Sequence, residues 1–198
     1  QHSRKPSTLG AIMRFAVLII LFLSCGSDRG RIVTLNEIGW SFELPANLSF
    51  SDSAFNSQGL IDKSLWDTSS FDPRFRVELF WIKPDKKNYF NTIIHVDSSE
   101  HNKWAQDVLV DSRFYISLVR ETPELKLLDT LISVENIDGV NLQKEYIKIF
   151  NTVTKDTTYS YKVSRKYKNY SINMNIKFID PRLGKEFLYI LNSSRFNK

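Results

Sequence analysis

Hydrophobic and polar residues alternate most regularly over residues 170–178. Apolar side chains stand at every second position, at Tyr170, Ile172, Met174, Ile176 and Phe178, with polar residues between them. This period of two predicts a β-strand with one buried face. Residues 159–167 have the same period, and Lys168-Asn169 separates the two runs. The two runs therefore predict neighbouring antiparallel strands joined by a tight turn.

Two further strands are predicted upstream, over residues 125–134 and 140–150. Asp138-Gly139 lies between them and is a two-residue sequence typical of β-hairpins. In the second strand Leu142 and Tyr146 share one face, whereas Ile147 and Ile149 share the other. This change of phase predicts a bulge in that strand. The four strands together form a predicted meander.

The first half of the chain predicts shorter elements. Residues 40–44 alternate up to Pro45 and predict a short strand. Residues 75–82 and 90–97 predict a hairpin around the turn at 84–88. The polar stretch over residues 46–71, between the first strand and this hairpin, favours a long connection with one short helix. The apolar residues of that helix are Leu60, Ile61, Leu65 and Trp66.

Two amphipathic helices are predicted from apolar residues at helical spacing. The first covers residues 100–120, with N-cap candidates Asp97, Ser98 and Ser99 and a stop at Pro123. Its predicted apolar stripe is Trp104, Val108, Tyr115 and Val119, with Leu109 and Leu118 beside it. The second follows Asp180-Pro181, an N-cap and a first-turn proline, and its stripe is Leu183, Phe187, Ile190 and Leu191.

These elements predict an α+β fold. Short turns between alternating strands favour an antiparallel sheet made of a hairpin and a four-strand meander. The two helices must bury their apolar stripes against this sheet. We therefore expect a single α+β domain over residues 39–198.

Residues 13–25 have the order of charges and apolar residues typical of an export signal. Arg14 precedes an apolar run over residues 15–23, and the small residue Ser24 follows. The run is too short to span a bilayer, which needs about 20 residues. We expect residues 1–24 to be removed, and residues 1–12 to be upstream sequence before a start at Met13.

Cys25 is the only cysteine of the chain. Phe22-Leu23-Ser24-Cys25 resembles the lipobox of bacterial lipoproteins, with Phe in place of the commoner Leu at its first position. The resemblance implies that Cys25 is acylated and becomes the N-terminus, and that residues 25–38 form a lipid-anchored tether. An ordinary secretory signal and an uncleaved apolar helix are the alternatives. We expect an envelope protein that faces the periplasm of a Gram-negative bacterium.

The charge balance does not indicate a nucleic-acid partner. The chain has 27 Lys and Arg against 22 Asp and Glu. Three of its cations, Arg4, Lys5 and Arg14, lie in the segment that export would remove, so the rest is close to neutral.

One short segment does mix cations with aromatic residues in a pattern that can bind nucleic acid. Its cations are Arg165, Lys166 and Lys168, and its aromatic residues are Tyr161, Tyr167 and Tyr170. In an exported protein we interpret this segment as the solvated face of an edge hairpin. Contact with anionic lipid or with an acidic partner is the alternative.

Candidate chemistry is sparse. His95 and His101 could meet around a metal with Asp97, Glu100 and Asp107, but no recognised ligand spacing supports this. The sequence contains no P-loop, dinucleotide-binding glycine motif or Gly-x-Ser-x-Gly. We therefore predict no catalytic, cofactor or metal residue. The apolar runs 80–82 and 146–150 could line a ligand cavity, but ordinary core on both faces of a covered sheet explains them more simply.

Two segments are similar to the PsbP-like superfamily, which includes photosystem accessory proteins and Ran-binding nuclear import factors. They are Gly39-Trp40-Ser41-Phe42-Glu43-Leu44-Pro45 and, in the closing helix, Phe187-Leu188-Tyr189-Ile190-Leu191-Asn192-Ser193-Ser194. The resemblance implies a non-enzymatic accessory or protein-binding module. Two other hypotheses stay open, a binder of a small apolar ligand between sheet and helices and a hydrolase with an unrecognised site.

Overall fold

The predicted meander forms the larger part of a seven-stranded antiparallel sheet. The computed structural model describes residues 30–53, 76–97 and 99–196, except the side chains of Glu37 and Arg76. In the described residues the strands are β1 Arg31–Leu35, β2 Trp40–Leu44, β3 Asp52–Ser53, β4 Arg76–Ile82, β5 Tyr89–Val96, β6 Leu125–Ile137, β7 Val140–Asn151, β8 Thr157–Tyr167, β9 Tyr170–Phe178 and β10 Arg195–Phe196. The helices are α1 His101–Glu121 and α2 Pro181–Asn192, and a short 3-10 turn covers Asn36–Ile38.

The strand order explains how the hairpin and the meander become one sheet. The large sheet runs β3-β4-β5-β9-β8-β7-β6, and a small sheet runs β1-β2-β10. β5 pairs antiparallel with β9 over its whole length, which joins the first hairpin to the end of the meander. The expected α+β class, with an antiparallel sheet and two amphipathic helices, is confirmed.

The hairpin turns follow their local sequence. Asp138 and Gly139 both have positive φ, at 53° and 76°, as a two-residue turn between twisted strands requires. The Asn136 side chain accepts a hydrogen bond from the Gly139 amide at 3.1 Å. The predicted β6–β7 hairpin is therefore present, and its turn chemistry sets the register of the longest strand pair.

The predicted bulge in β7 was wrong. The pairing of β6 with β7 shifts register between Leu127 and Asp129, which places the irregularity in β6. Leu142 is buried on one face of β7, while Ile147 and Ile149 are buried on the other. The sheet is covered on both faces, so one strand buries side chains of both parities without an extra residue.

The structure has three layers. We call the two sides of the large sheet the α1 face, which carries Glu145, Ile147 and Ile149, and the α2 face, which carries Leu142, Phe90 and Met174. The main core lies between the α2 face and a layer made of α2 and the small sheet. A smaller core lies under α1, where Ile116 and Val119 pack on Ile147 and Ile149.

An aromatic cluster joins the small sheet to the large one. The Trp40 ring lies 5.8 Å from Phe80 and 6.1 Å from Phe196, both in stacked geometry. The buried Trp40 indole donates a hydrogen bond to the Ser194 hydroxyl at 3.0 Å, which satisfies its polar edge. This cluster fixes the start and the end of the domain against one sheet.

The folded domain begins earlier than the sequence indicated. β1 pairs with β2 from Arg31↔Leu44 to Leu35↔Trp40, and Leu35 and Ile38 are fully buried. Residues 31–38, assigned above to the tether, are therefore part of the domain. Cys25 and the apolar run before it lie outside the described residues, as does the helix expected around Leu60 to Trp66.

The helix ends agree with the sequence at one helix and differ at the other. Asp180 caps α2, and its side chain accepts a hydrogen bond from the Arg182 amide at 2.8 Å.

α1 begins after Glu100, which makes no side-chain capping hydrogen bond. The N-cap role proposed for Asp97 and Ser99 was wrong, because the Asp97 carboxylate instead accepts the Ser99 amide in a local turn. Ser98 lies outside the described residues. α1 ends two residues before Pro123, as expected.

Gly184→Ala tests the packing of α2 on β9. A Cβ at Gly184 would lie 2.3 Å from Cε2 of Phe178, a contact that cannot form without displacing the ring. Helix propensity alone would favour alanine, but overpacking opposes it, and we expect a loss of about 1–3 kcal/mol in the free energy of unfolding. Urea denaturation measures this. The adjacent, exposed Lys185→Ala is the control and should change stability by less than about 0.5 kcal/mol. A Gly184→Ala variant as stable as wild type would refute the packing.

Candidate functional site

A groove runs between α1 and the large sheet. Two adjoining cavities of about 450 and 580 Å³ share His95, Asp111, Lys162 and Asn173, so they form one continuous depression. β5, β8 and β9 supply its floor, and α1 supplies one wall. Its size is in the range of pockets that hold small molecules.

The groove exists because the α1 face changes character across the sheet. Over β6 and β7 this face is apolar, and α1 packs on it through Ile116 and Val119. Over β5 and β9 most of the corresponding positions are polar, namely Asn91, His95, Asn173 and Asn175, and Ile93 is the apolar exception. Polar side chains do not form a close-packed apolar contact with a helix, so the space beside them stays open.

Hydrogen bonds between side chains hold the floor of the groove. Asn175 donates its side-chain amide to Asn91 Oδ1 at 3.1 Å, and the Ser164 hydroxyl donates to Asn173 Oδ1 at 2.6 Å. At one end the Trp104 indole donates to the Ser171 hydroxyl at 2.9 Å, which fastens the first turn of α1 to β9. The floor therefore offers polar groups in fixed orientations.

Glu145 is the most unusual residue of the groove. Its side chain lies on β7 beneath α1, only 6% of the residue is exposed, and Oε2 accepts no hydrogen bond from the described residues. Burial raises the pKa of the Glu145 carboxyl. The Ser112 hydroxyl and the Lys162 ammonium oppose this rise, and the Asp111 carboxylate adds to it.

Aromatic side chains line the far end of the groove. Trp81 and Tyr89 lie with ring centroids 5.3 Å apart, and the Trp81 indole donates to Glu78 Oε2 at 2.8 Å. Tyr115 of α1 lines the same cavity. Burial raises the pKa of both Tyr89 and Tyr115, so their phenols are neutral donors at physiological pH.

An ion pair closes the other end. Lys166 Nζ lies 3.2 Å from Asp97 Oδ1 and also donates to the Asp97 carbonyl oxygen. Desolvation would raise the pKa of the Asp97 carboxyl, but hydrogen bonds from Ser99 and Lys166 outweigh it and hold that pKa below its ordinary value. The Lys166 ammonium is therefore paired with Asp97 within the protein.

The histidines do not meet. His95 lies on the groove floor, with Nδ1 3.5 Å from the Asn173 amide nitrogen, whereas the His101 ring lies against Trp104 with centroids 5.4 Å apart. Asp97 and Asp107 line the groove near His95. In the described part of the chain, His, Asp, Glu and Cys form no group of three that could hold a metal ion.

The basic and aromatic segment was wrongly interpreted as a solvated edge hairpin. β8 and β9 lie inside the large sheet, not at its edge. Arg165 is only 3% exposed, and its guanidinium carbon lies 4.6 Å from the ring centroids of both Tyr167 and Phe196. Of the three cations, Lys168 remains at the turn, where its ammonium lies 5.1 Å from the Tyr167 ring centroid.

The two apolar runs considered as cavity linings are mainly core. Phe80 and Ile82 are fully buried on the α2 face, and Ile147 and Ile149 are buried under α1. Only Trp81 of these runs lines the groove.

Sequence reasoning missed the polar residues that make the groove. Lys162, Asn173 and Asn175 were assigned only to the polar positions of their alternating strands, and Glu145 and Asn91 were not singled out. The available signal was the residue type at those positions, because Asn is depleted in β-strands.

Comparison with known proteins shows similarity in fold. No family model matches the sequence, and no curated protein matches it. The cyanobacterial PsbP (CyanoP) of Synechocystis superposes with a TM-score of 0.53 at 11% identity, over 87% of this chain and 95% of that one. The chain has a PsbP-like fold.

Two further solved structures are more distant. LpqN of Mycobacterium tuberculosis, described as involved in cell envelope biogenesis, has a TM-score of 0.44 at 9% identity, over 87% of this chain and 88% of that one. A Pseudomonas aeruginosa protein of unknown function has a TM-score of 0.36 at 12% identity, over 83% of this chain and 94% of that one.

Neither of the two helices described above is long and apolar enough to cross a membrane.

Glu145→Gln tests the buried carboxyl. Because folding raises the pKa of Glu145, its ionisation opposes folding, and this penalty is absent at low pH and grows as pH rises through the folded-state pKa. We expect Glu145→Gln to melt at a higher temperature than wild type at pH 7.5. The difference should shrink towards zero as pH falls to the ordinary range of Glu, about 4.3.

Thermal melts between pH 4 and pH 8 measure this effect. Glu124→Gln, at an exposed glutamate before β6, is the matched control and should leave the melting temperature unchanged across the range. A gain that is independent of pH, or a loss at pH 7.5, would contradict a buried, ionisable carboxyl.

Proposed function

We propose that this protein is a lipid-anchored component of a bacterial cell envelope and that its α+β domain is a non-enzymatic accessory module that binds another envelope protein. The sequence supports the anchor, since Cys25 directly follows an apolar run and a small residue. The PsbP-like fold supports the accessory role, as the resemblance noted from the sequence implies. The domain would face the periplasm of a Gram-negative bacterium.

The solvent-exposed side of α1 is the observation that supports a protein partner. Val110, Phe114 and Leu118 recur every four residues, so they form one stripe along the helix. They are 62%, 63% and 43% exposed. An aligned apolar stripe of this kind favours contact with another protein, whereas scattered apolar residues would need no explanation.

A small-ligand role is the second candidate, and the groove is the observation that favours it. Its lining of amides, carboxylates and aromatic rings suits a polar ligand, not the apolar one considered from the sequence. A hydrolase is the third hypothesis, and Glu145 is the groove residue that would serve it as a general acid.

The anchor is tested with Cys25→Ser. In a bacterial host we expect wild type to lose the residues before Cys25, gain the mass of acyl chains and sediment with membranes, because two or more chains anchor stably. Cys25→Ser should gain no acyl mass and leave the membrane fraction. Ser27→Ala, two residues downstream, is the control and should behave as wild type. Intact mass and membrane fractionation measure both, and an unmodified Cys25 in wild type would refute the anchor.

The partner is tested by site-specific photo-crosslinking in cells. A benzophenone amino acid at position 114 should give a discrete adduct with one envelope protein, because the α1 stripe would lie in the interface. The same probe at Val153, which is 70% exposed at the turn after β7, is a control matched in exposure. Adding Leu118→Asp should abolish the adduct at position 114. Equal labelling at both positions, or none at either, would contradict binding through α1.

A further inference from the structure

The groove has the opposite charge to the chain as a whole. The full sequence has a formal net charge of +5. In the groove, carboxylates outnumber the two lysines, Lys103 and Lys162. The carboxylates are Glu78, Asp97, Asp107, Asp111 and Glu145. Since Lys166 neutralises only Asp97 among them, the groove keeps a negative potential that attracts cations.

The buried Glu145 carboxylate distinguishes the groove from an ordinary acidic surface. A buried carboxylate is stable when a cation or several hydrogen-bond donors compensate it. The described structure provides neither completely, because Oε2 accepts no hydrogen bond and no ion pair joins Glu145 to Lys162. Glu145 is one of the residues that line a cavity of about 580 Å³, which has room for the missing partner.

The surroundings of Glu145 define the chemistry of that partner. Tyr115, Tyr89 and Trp81 line the same cavity, and aromatic rings attract ammonium groups and pack against alkyl or aryl bodies. The amides of Asn91 and Asn175 lie on the floor beside them. A divalent metal fits less well, because the described residues supply no group of three ligands.

We propose that the groove between α1 and the large sheet binds a small organic amine, with Glu145 as the counter-ion of its ammonium group and Asp111 at the entrance. This inference rests on the small-ligand candidate for the groove. The aromatic end accommodates the body of the ligand. Lys162 weakens binding, because it places a positive charge in the same cavity.

Tryptophan indoles provide the readout. The chain has four tryptophans, of which Trp81 and Trp104 line the groove, while Trp40 lies in the core on the other side of the sheet. The full chain carrying Cys25→Ser is labelled with ¹⁵N-tryptophan and titrated, with EDTA present, with 2-phenylethylamine, 2-phenylethanol and phenylacetate. These probes share one skeleton and differ in charge.

We expect 2-phenylethylamine to shift the indole resonances of Trp81 or Trp104 and leave that of Trp40 unchanged. Glu145→Gln should weaken this binding by about tenfold or more, as loss of a buried charge partner requires. Asp111→Asn, at an exposed position of α1, should weaken it by a smaller factor and keeps the test valid if Glu145→Gln disturbs folding. Lys162→Gln should strengthen binding, a change of sign that a structural role would not produce. Glu124→Gln should have no effect.

Each other outcome has a defined meaning. If the alcohol or the carboxylate shifts Trp81 or Trp104 as strongly as the amine, the groove binds small ligands but the inferred cation is wrong. If none of the three probes moves these resonances, both the amine and the small-ligand candidate are wrong. A shift caused by Zn²⁺ alone, without EDTA, together with no response to the amine would replace the amine by a metal. None of these outcomes tests the proposed binding of a protein through α1.

Discussion

The contact of Trp40 with Phe80 is the interaction on which the rest of the structure depends. Phe80 belongs to the large sheet and Trp40 to the small one, and their stacked rings bring β4 against β2. Phe196 packs on Trp40 from the end of the chain, and Ser194 binds its indole. Residues more than 150 positions apart are thereby held together. Without this cluster, the small sheet would lose its main aromatic contact with the large sheet, and α2 alone would cover the rest of that face.

The two faces of the large sheet are used differently as a result. The α2 face carries the main apolar core and accounts for most of the buried hydrophobic side chains. The α1 face has only a small core over β6 and β7, together with the tryptophan that fastens the first turn of α1. This division allows buried polar residues such as Glu145 and Asn91 on one face, because the apolar packing on the other stabilises the fold.

The sequence predicted the elements well because strand alternation and turn chemistry are local properties. Asp138-Gly139 specified its hairpin, and Asp180-Pro181 specified the start of α2. Predictions that depended on neighbours distant in sequence were less accurate. Arg165 was expected in solvent, but its burial requires Phe196 from the last strand, and the bulge expected in β7 lies in its partner β6. Glu145 could be assigned to a face, but not to a site, since nothing local indicates that a helix covers part of that face and leaves the rest open.

The early start of β1 determines how an anchored domain would sit on a membrane. β1 begins at Arg31, six residues after Cys25, and six residues of extended chain reach at most about 20 Å. β1 belongs to the layer on the α2 face, whereas α1 lies on the opposite face of the large sheet. A tether this short would hold the small sheet close to the lipid headgroups. The molecule would then be polarised, with its closed core towards the bilayer and its groove and apolar helix stripe presented to the compartment beyond.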